Sequence, residues 1–267
     1  SRLGVISVKG MTRLPKAGNP PPRIAETPMG MLNSVGLQNP GIDHFIEKEL
    51  PYLSGKGTRI IANVAGSTVE DCVAMAEKLE DTAVDMIELN ISCPNVKQGG
   101  AAFGTSCEAA AGITEAVRKA TSKPLMVKLS PNVTNITAIA KAVEAAGADA
   151  VSLINTLLGM RIDLNSRRPV LKNNVGGMSG PAVFPIAVRM VWQVANAVKI
   201  PVVGMGGISS GKDAIEMMMA GASAVQVGAA IFTDPYAPLK IIDGMNRWLD
   251  DHGIASVREI VGTVQPW

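Results

Sequence analysis

VVGMGGISSGKDAIEMMMAGASAVQVGA, residues 202–229, decides the fold class because it contains a complete strand–helix–strand unit. Two short apolar runs, VVGMGG (202–207) and AVQVGA (224–229), flank an amphipathic window that begins with a serine. Strands joined through a helix in this way become parallel neighbours in a sheet. The turn MAGASAV that follows the helix has a close copy upstream, AAGADAV, which indicates that the unit repeats.

The same alternation extends over most of the chain. We predict five earlier strands: LGVISV (3–8), RIIANV (59–64), MIELNI (86–91), LMVKLS (125–130) and AVSLIN (150–155). Helical windows accompany the strands at 67–81, 107–121, 136–147, 184–198, 210–221 and 238–253. Seven strands predict an α/β fold, a (β/α)8 TIM barrel whose first strand is missing from this chain, as one domain over residues 1–267. An open sheet is the alternative interpretation.

Two long segments interrupt the alternation. Residues 10–41 are rich in Pro and Gly, so we expect neither a regular helix nor a central strand there. Residues 157–181 contain DLNSRRPV, for which we predict a small hairpin with its turn at Asn165-Ser166. Both segments leave the carboxyl ends of predicted strands, where barrel enzymes place their active sites, and we therefore expect both to be functional.

Composition excludes several classes of function. A net charge of +2 with 18% charged residues gives no strong field toward nucleic acid or a membrane surface, and 3% aromatic residues argue against base stacking. The three cysteines lack CxxC spacing, so we predict neither a disulfide framework nor a metal site, and we expect a cytoplasmic location. No apolar run approaches the roughly 18 residues of a membrane span.

Glycines that end the last two predicted strands indicate an anion site. Gly206 and Gly207 precede a predicted serine-capped helix, and Gly228 ends the next strand. Glycine lets backbone N–H groups approach an anion closely, and a helix N-terminus favours negative charge. Barrels commonly bind phosphate at this position. The alternative is that these glycines serve only tight turns.

Polar residues at the ends of apolar strands form a second group of candidates. Lys128 interrupts LMVKLSP and Lys9 follows the first strand. Either Lys128 faces a cofactor that gains negative charge, such as a reduced flavin, or its tip reaches solvent. Five asparagines fall at strand ends or in the loops above them: Asn33, Asn63, Asn90, Asn95 and Asn155. Each one alone fits a turn, but together they suit a planar ring that bears C=O and N–H groups.

Cys93, in ELNISCPN (88–95), is the candidate for proton transfer. A thiol has a pKa of about 8.5 and can act as a general base where its surroundings favour the thiolate. From the residues alone, an inert buried cysteine fits equally well. We expect His44 and His252 on the surface and Cys72 in the core, and no role is assigned to Cys107.

The order of these motifs resembles that of the class 1 dihydroorotate dehydrogenases. The matching segments are KG (9–10), GNPPPRIAETPMGMLNSVGLQNPG (18–41), ELNISCPNVKQGG (88–100), VKLSPN, INTLLGMR, GGMSGPA, GMGGI and VGAA. A cysteine in the NISCPN loop is the feature of class 1. The segment AETPMGMLNSVGLQNPG (25–41) is most similar to the corresponding segment of the NAD-linked branch, 1B.

The resemblance implies an FMN-binding barrel that oxidises (S)-dihydroorotate to orotate in de novo pyrimidine biosynthesis. It implies that Cys93 takes the C5 proton and that FMN accepts the C6 hydride. The substrate contacts that it implies are Lys9, Asn33, Ser34, Val35, Gly36, Leu37, Asn90, Asn95, Asn155 and Thr156. The FMN contacts that it implies are Lys9, Gly10, Asn63, Asn90, Lys128, Ile154, Gly180, Gly206, Gly207, Gly228 and Ala229.

The 1B branch also implies a partner subunit, with FAD and an iron–sulfur cluster, that passes electrons to NAD. Two such subunits would join a homodimer of this chain in a heterotetramer. No GxGxxG opens a first βα turn, so this chain is not expected to bind NAD itself. Two alternatives stay open: a flavin dehydrogenase of dihydrouracil or dihydrothymine, and a non-catalytic truncated fragment. Lys9 and the amides of NSVGL favour dihydroorotate because they suit its carboxylate.

Overall fold

The main sheet of the protein contains seven parallel strands in chain order. A computed structural model describes residues 2–92 and 103–267. The strands are β1 (Val5–Ser7), β2 (Arg59–Val64), β3 (Met86–Asn90), β4 (Leu125–Lys128), β5 (Ala150–Leu153), β6 (Val202–Met205) and β7 (Ala224–Gln226). Each of the seven predicted strands is confirmed, and β1 and β7 are the two edges of this sheet.

Helices alternate with these strands. Those that follow the predicted windows are α1 (Val69–Glu80), α2 (Cys107–Ala120), α3 (Ile136–Ala145), α4 (Phe184–Ala195), α5 (Gly211–Met219) and, after the short α6 (Ala230–Thr233), α7 (Ala237–Asp251). The sequence did not predict α6 or the helical segment at 42–54, whose last part tolerates Pro51 because proline stands in its first turn. No described helix is long and apolar enough to cross a membrane.

The two faces of the sheet differ in chemistry. On β3, Ile87 and Leu89 are fully buried in the large apolar core shared with the helices. The alternate residues of the strands face the barrel interior, where Ile61, Met126 and Ala150 form a separate small apolar cluster. Toward the carboxyl ends, the interior residues become polar. The strand alternation therefore collects polar side chains at one end of the barrel.

The two long loops join in a second, antiparallel sheet of four strands. Its order is Ile24–Thr27, Gly30–Asn33, Gly176–Ser179 and Leu157–Gly159. The expectation of no central strand in 10–41 was wrong for Gly30–Asn33, which has a neighbour on each side. The proline run ends at Pro22 and Pro28 stands in the hairpin turn, so no proline interrupts the ladder.

The smaller hairpin predicted in the second loop is confirmed. Ile162–Asp163 pairs with Arg168–Pro169, and the turn between them includes Asn165 and Ser166. Since both long loops leave the carboxyl ends of β1 and β5, the four-stranded sheet lies at the polar end of the barrel. It places the NSVGL segment beside the residues that follow β5.

The opposite end of the barrel contains a carboxylate that stabilises a turn. Glu80, the last residue of α1, accepts hydrogen bonds from the Ser122 hydroxyl, the Thr121 hydroxyl and the Ser122 N–H. These bonds lower the pKa of Glu80 from its usual 4.5 to about 2. Because the folded state lowers this pKa, its contribution to stability is present above pH 4.5 and is lost as the pH falls toward 2.

We therefore expect the free energy of unfolding of Glu80→Gln to depend less on pH between 4.5 and 2 than that of the wild type. The melting temperature of the variant should lie below that of the wild type at pH 6, and the difference should shrink between pH 4.5 and 2. Glu77→Gln, on the exposed side of the same helix, is the matched control. A difference between Glu80→Gln and wild type that stays constant with pH would contradict this role.

Candidate active site

Asparagines from three of the parallel strands form one hydrogen-bonded chain at the polar end of the barrel. Asn63 is the second-last residue of β2, Asn90 is the last residue of β3, and Asn155 follows β5. Asn90 Nδ2 donates to Asn63 Oδ1 at 3.3 Å, and Asn155 Nδ2 lies 3.5 Å from Asn90 Oδ1. The fold thus brings three of the five predicted asparagines into contact, although 27 and 65 residues separate the bonded pairs.

Residues that the sequence reasoning missed complete this chain. Ser92 donates its N–H and its hydroxyl to Asn90 Oδ1, at 3.2 and 2.9 Å, and its Oγ accepts from Asn155 Nδ2 at 2.8 Å. The Thr156 N–H donates to Asn155 Oδ1 at 2.7 Å, while Asn132 Nδ2 donates to the Thr156 carbonyl at 2.9 Å. Ser92 and Asn132 lie within the motifs NISCPN and LSPN, and their positions in these motifs could have identified them as site residues.

A fully buried carboxyl group lies directly beneath the asparagines. Glu88 accepts hydrogen bonds from Asn63 Nδ2 and, at 2.7 Å, from the hydroxyl of Ser152. Glu88 was not among the site residues predicted from the sequence. Its signal was an acidic residue at an inward position of the apolar strand MIELNI, two residues before Asn90. The polar layer of the barrel is therefore hydrogen-bonded from Ser152 up to Asn155.

The NSVGL segment (33–37) lies beside this chain. A Cβ on Gly10 would lie 2.8 Å from Asn63 Oδ1 and 3.3 Å from Leu37 Cδ2, so these three residues are in contact. Gly36 and Leu37 have φ values of +77° and 57°. A left-handed leucine is uncommon and typical of ligand sites. The N–H groups of Gly36 and Leu37 donate to no residue within 2–92 or 103–267.

The first residues of the same segment have mostly structural contacts. The Ser34 N–H donates to the Arg23 carbonyl at 2.8 Å, so this amide is already taken, although the buried Ser34 hydroxyl has no hydrogen-bond partner in the described part of the chain. The Val35 N–H lies 3.5 Å from Asn33 Oδ1. Asn33 pairs with Gly177, where any side chain would collide with Thr156, so Asn33 and Thr156 lie on the same side of the mouth.

A second cluster surrounds the predicted anion site. Gly206 and Gly207 follow β6 with φ values of +124° and +77°. A Cβ on Gly206 would lie 3.1 Å from Ile154, and one on Gly207 would lie 2.8 Å from the Gly180 carbonyl. Ile154 and Gly180, both predicted cofactor contacts, therefore adjoin the two glycines. The positive φ values, together with these close contacts, favour glycine at both positions.

The N–H groups at this place are available to an anion. Those of Gly206, Gly207, Gly228 and Ala229 donate to no group in the described ranges. The predicted cap of α5 is confirmed: Ser210 Oγ accepts from the Asp213 N–H at 3.2 Å. The Asp213 carboxylate in turn accepts from the N–H groups of Ser209 and Ser210. The amides free to bind an anion are thus those of the glycine turns rather than those just before the helix.

The two predicted lysines occupy different environments. Lys128 ends β4, is half-buried, and pairs in register with Asn90 and Ser152 on the neighbouring strands. No residue of 2–92 or 103–267 forms an ion pair or hydrogen bond with its ammonium group. Lys9 is exposed, two residues after β1. Lys128 is thus a cation beside the amide chain that has no anionic partner among the described residues.

The candidates for proton transfer are partly located by the structure. Cys93 and Asn95 lie outside the described residues. Cys72 is buried in α1 as predicted, and burial raises the pKa of its thiol to about 12, so it is no base near neutral pH. Cys107 is exposed at the start of α2. His44 and His252 are both exposed, which confirms their predicted surface positions.

Comparison with solved structures supports the fold. The crystal structure of a dihydroorotate dehydrogenase from Eimeria tenella in complex with ferulenol superposes with a TM-score of 0.84. It covers 97% of this chain and 78% of the other, at 22% sequence identity. At this identity the likeness concerns the fold alone, and it confirms the predicted α/β barrel.

Sequence comparisons establish the family. A family model described as dihydroorotate dehydrogenase matches residues 1–249. The "Dihydroorotate dehydrogenase B (NAD(+)), catalytic subunit" of Bacteroides thetaiotaomicron is 57% identical over 266 residues, which cover 99% of this chain and 88% of the relative. The protein of the same name from Alkaliphilus metalliredigens is 54% identical over 264 residues, 99% and 87% of the two chains. These names confirm the branch that the motifs predicted. The chain belongs to the dihydroorotate dehydrogenase family.

Proposed function

We propose that this chain oxidises (S)-dihydroorotate to orotate, as the catalytic subunit of an FMN-dependent dihydroorotate dehydrogenase of pyrimidine biosynthesis. The observation that carries the proposal is the chain of amides formed by Asn63, Asn90 and Asn155 beside the N–H groups of Gly36 and Leu37. Uncharged donors and acceptors at fixed positions suit a pyrimidine ring that bears C=O and N–H groups. The names of the relatives point to the same reaction.

The residues present fit FMN. Its phosphate would be held by the N–H groups of Gly206, Gly207, Gly228 and Ala229. The ring would contact the residues at the mouth of the barrel: Lys9, Gly10, Asn63, Asn90, Lys128, Ile154 and Gly180. When bound, FMN supplies the acceptor for the C6 hydride of dihydroorotate. The half-buried ammonium of Lys128 would stabilise negative charge that accumulates on the ring.

The other residues of the site bind substrate and move its proton. Ring contacts are assigned to Lys9, Asn33, Ser34, Val35, Gly36, Leu37, Asn90, Asn95, Asn155 and Thr156. Because the Ser34 N–H is occupied by Arg23, the amides of Gly36 and Leu37 are the better donors to a substrate oxygen. Cys93, as thiolate, would accept the C5 proton. These assignments carry the family motifs onto this chain, position by position.

The words "catalytic subunit" and "NAD(+)" in the names of the relatives support a second chain in the assembly. We propose that the second chain, the partner subunit, carries FAD and an iron–sulfur cluster, receives the electrons from the present chain and passes them to NAD. The assembly would contain a homodimer of the present chain and two such subunits. The free thiols of Cys72 and Cys107 suit a reducing cytoplasm.

The glycine turns give a prediction that separates folding from cofactor binding. Gly207→Ala would force an L-residue to φ +77° and place a Cβ 2.8 Å from the Gly180 carbonyl, so the free energy of unfolding should fall by about 1–3 kcal/mol. A Cβ on Gly228 would meet no atom of residues 2–92 or 103–267 within 4 Å. Gly228→Ala should therefore keep the stability of the wild type but bind FMN roughly tenfold more weakly, as the backbone could no longer approach the phosphate.

Thermal unfolding and fluorescence titration of the apoprotein with FMN measure both quantities. Equal FMN affinity in Gly228→Ala and wild type would place the phosphate elsewhere.

The proposed function is tested by the visible absorbance spectrum of the purified protein before and after anaerobic addition of dihydroorotate. Flavin bands that bleach would support cofactor, substrate and hydride transfer together. Flavin bands that persist with dihydroorotate but bleach with dihydrouracil or dihydrothymine would replace the proposal with a dihydropyrimidine dehydrogenase. A protein that binds no added FMN would contradict the assignment of the glycine turns.

A further inference from the structure

Glu88 is a buried acidic residue with no role in the proposed reaction. Its side chain is 0% exposed and lies two residues before Asn90 on β3, and among the described residues only neutral groups are bonded to it. Burying a carboxyl group is costly, and the layer below it is apolar, so an apolar residue would suit the packing alone. The carboxyl group therefore needs an explanation beyond packing.

We infer that Glu88 is a positioning residue that fixes which way the amides of Asn63 and Asn90 face in the ligand site. This inference rests on the proposed function of the same site. Both oxygens of Glu88 are acceptors, one toward Asn63 Nδ2 and the other toward the Ser152 hydroxyl. Asn63 must therefore turn its NH2 group downward and its carbonyl oxygen upward, toward Asn90.

The upper end of the chain imposes the same direction. The Ser92 backbone N–H can only donate, and it donates to Asn90 Oδ1 at 3.2 Å. Asn90 must then offer Nδ2 to Asn63, where Oδ1 receives it at 3.3 Å. If Asn63 were reversed, its NH2 group would face the NH2 group of Asn90, and its oxygen would face an oxygen of Glu88. Glu88 below and Ser92 above thus leave one consistent arrangement of the two amides.

The direction of these amides matters to a ligand. Each NH2 group has two hydrogens, and Asn90 uses one of them on Asn63. The second hydrogen of Asn90 Nδ2 is left as a donor at the barrel mouth, fitted to a ring carbonyl oxygen. Without Glu88, Asn63 could turn its NH2 group toward Asn90 and compete with the Ser92 N–H for the direction of the Asn90 amide, so that an oxygen would face the ring carbonyl for part of the time. Glu88 would then set ligand affinity without touching the ligand.

The test compares two replacements of Glu88 in the FMN-loaded protein. Glu88→Gln can keep its oxygen toward Asn63 and turn its NH2 group to the Ser152 hydroxyl, which can rotate to accept. Glu88→Met offers no acceptor to Asn63. We expect the dissociation constant of orotate, from its perturbation of the flavin spectrum, to rise about tenfold in Glu88→Met and to stay within about threefold of wild type in Glu88→Gln.

Ser152→Ala and the double variant Glu88→Gln/Ser152→Ala complete the design. Ser152→Ala removes a donor to Glu88 but keeps the acceptor for Asn63, so orotate affinity should stay near that of the wild type. In the double variant, the glutamine NH2 group has no acceptor at position 152 and competes for Asn63, so affinity should fall as in Glu88→Met. The double variant also tests the inference if Glu88→Met does not fold.

A merely structural role predicts another pattern, with lower melting temperatures but unchanged orotate affinity per bound flavin. That pattern, or equal losses in Glu88→Gln and Glu88→Met, would overturn the inference. A wild-type spectrum that does not respond to orotate would instead contradict the proposed function. In that case the FMN dissociation constants of the same variants still report on Asn63, and equal values would overturn the inference.

Discussion

Replacing Cys93 with alanine should slow the reduction of bound flavin by dihydroorotate by ~10² or more, because the C5 proton would lose its general base. The hydrogen bonds among Asn63, Asn90 and Asn155 join these described residues to one another and are retained in the variant, so flavin should stay bound. Anaerobic stopped-flow absorbance of the flavin band measures the reduction directly. The FMN content of the purified variant is read from the same spectrum.

The chain offers a matched control for this experiment. Cys107→Ala also removes one thiol, but from the exposed start of α2, and should leave the rate of reduction unchanged. Burial raises the pKa of Cys72 to about 12, so that thiol should not substitute for Cys93. Near-normal reduction in Cys93→Ala would rule out the cysteine as the base.

Replacing Lys128 with alanine has the second large expected effect. The ammonium is half-buried beside Asn90 and has no anionic partner among the described residues, so it is available to a group that gains negative charge. Without it, we expect the rate of flavin reduction to fall by roughly 10². FMN should also bind more weakly. Stability should change little, because Lys128 makes no described bond that the variant would break.

Lys123 is the matched control because it lies just before the other end of the same strand. Its ammonium donates to the carbonyls of Thr82 and Val84, at 2.9 and 3.0 Å. Lys123→Ala should lower the melting temperature and leave flavin binding and reduction unchanged. Lys128→Ala should leave the melting temperature nearly unchanged and impair flavin binding and reduction. Loss of folding in Lys128→Ala, without a separable flavin defect, would favour a structural lysine.

Much of the barrel was predictable because its rules are local. Alternating apolar strands and amphipathic helices predicted all seven parallel strands in their order, and glycines at strand ends marked the turns after β6 and β7. The hairpin at 162–169 also followed from neighbouring residues. The four-stranded sheet did not, since Gly30–Asn33 pairs with Gly176–Ser179 across more than 140 residues. No local pattern encodes such a register.

The sequence by itself determined which residue types are available: amides, lysines, glycines and one cysteine at or beside strand ends. The tertiary structure alone decided how they are connected. In the described part of the chain, the Ser34 N–H is bonded to the Arg23 carbonyl, the N–H groups of Gly36 and Leu37 have no acceptor, and Glu88 is bonded to Asn63. The physical reason is that a hydrogen bond depends on distance and direction between groups, and parallel strands bring together residues far apart in the chain.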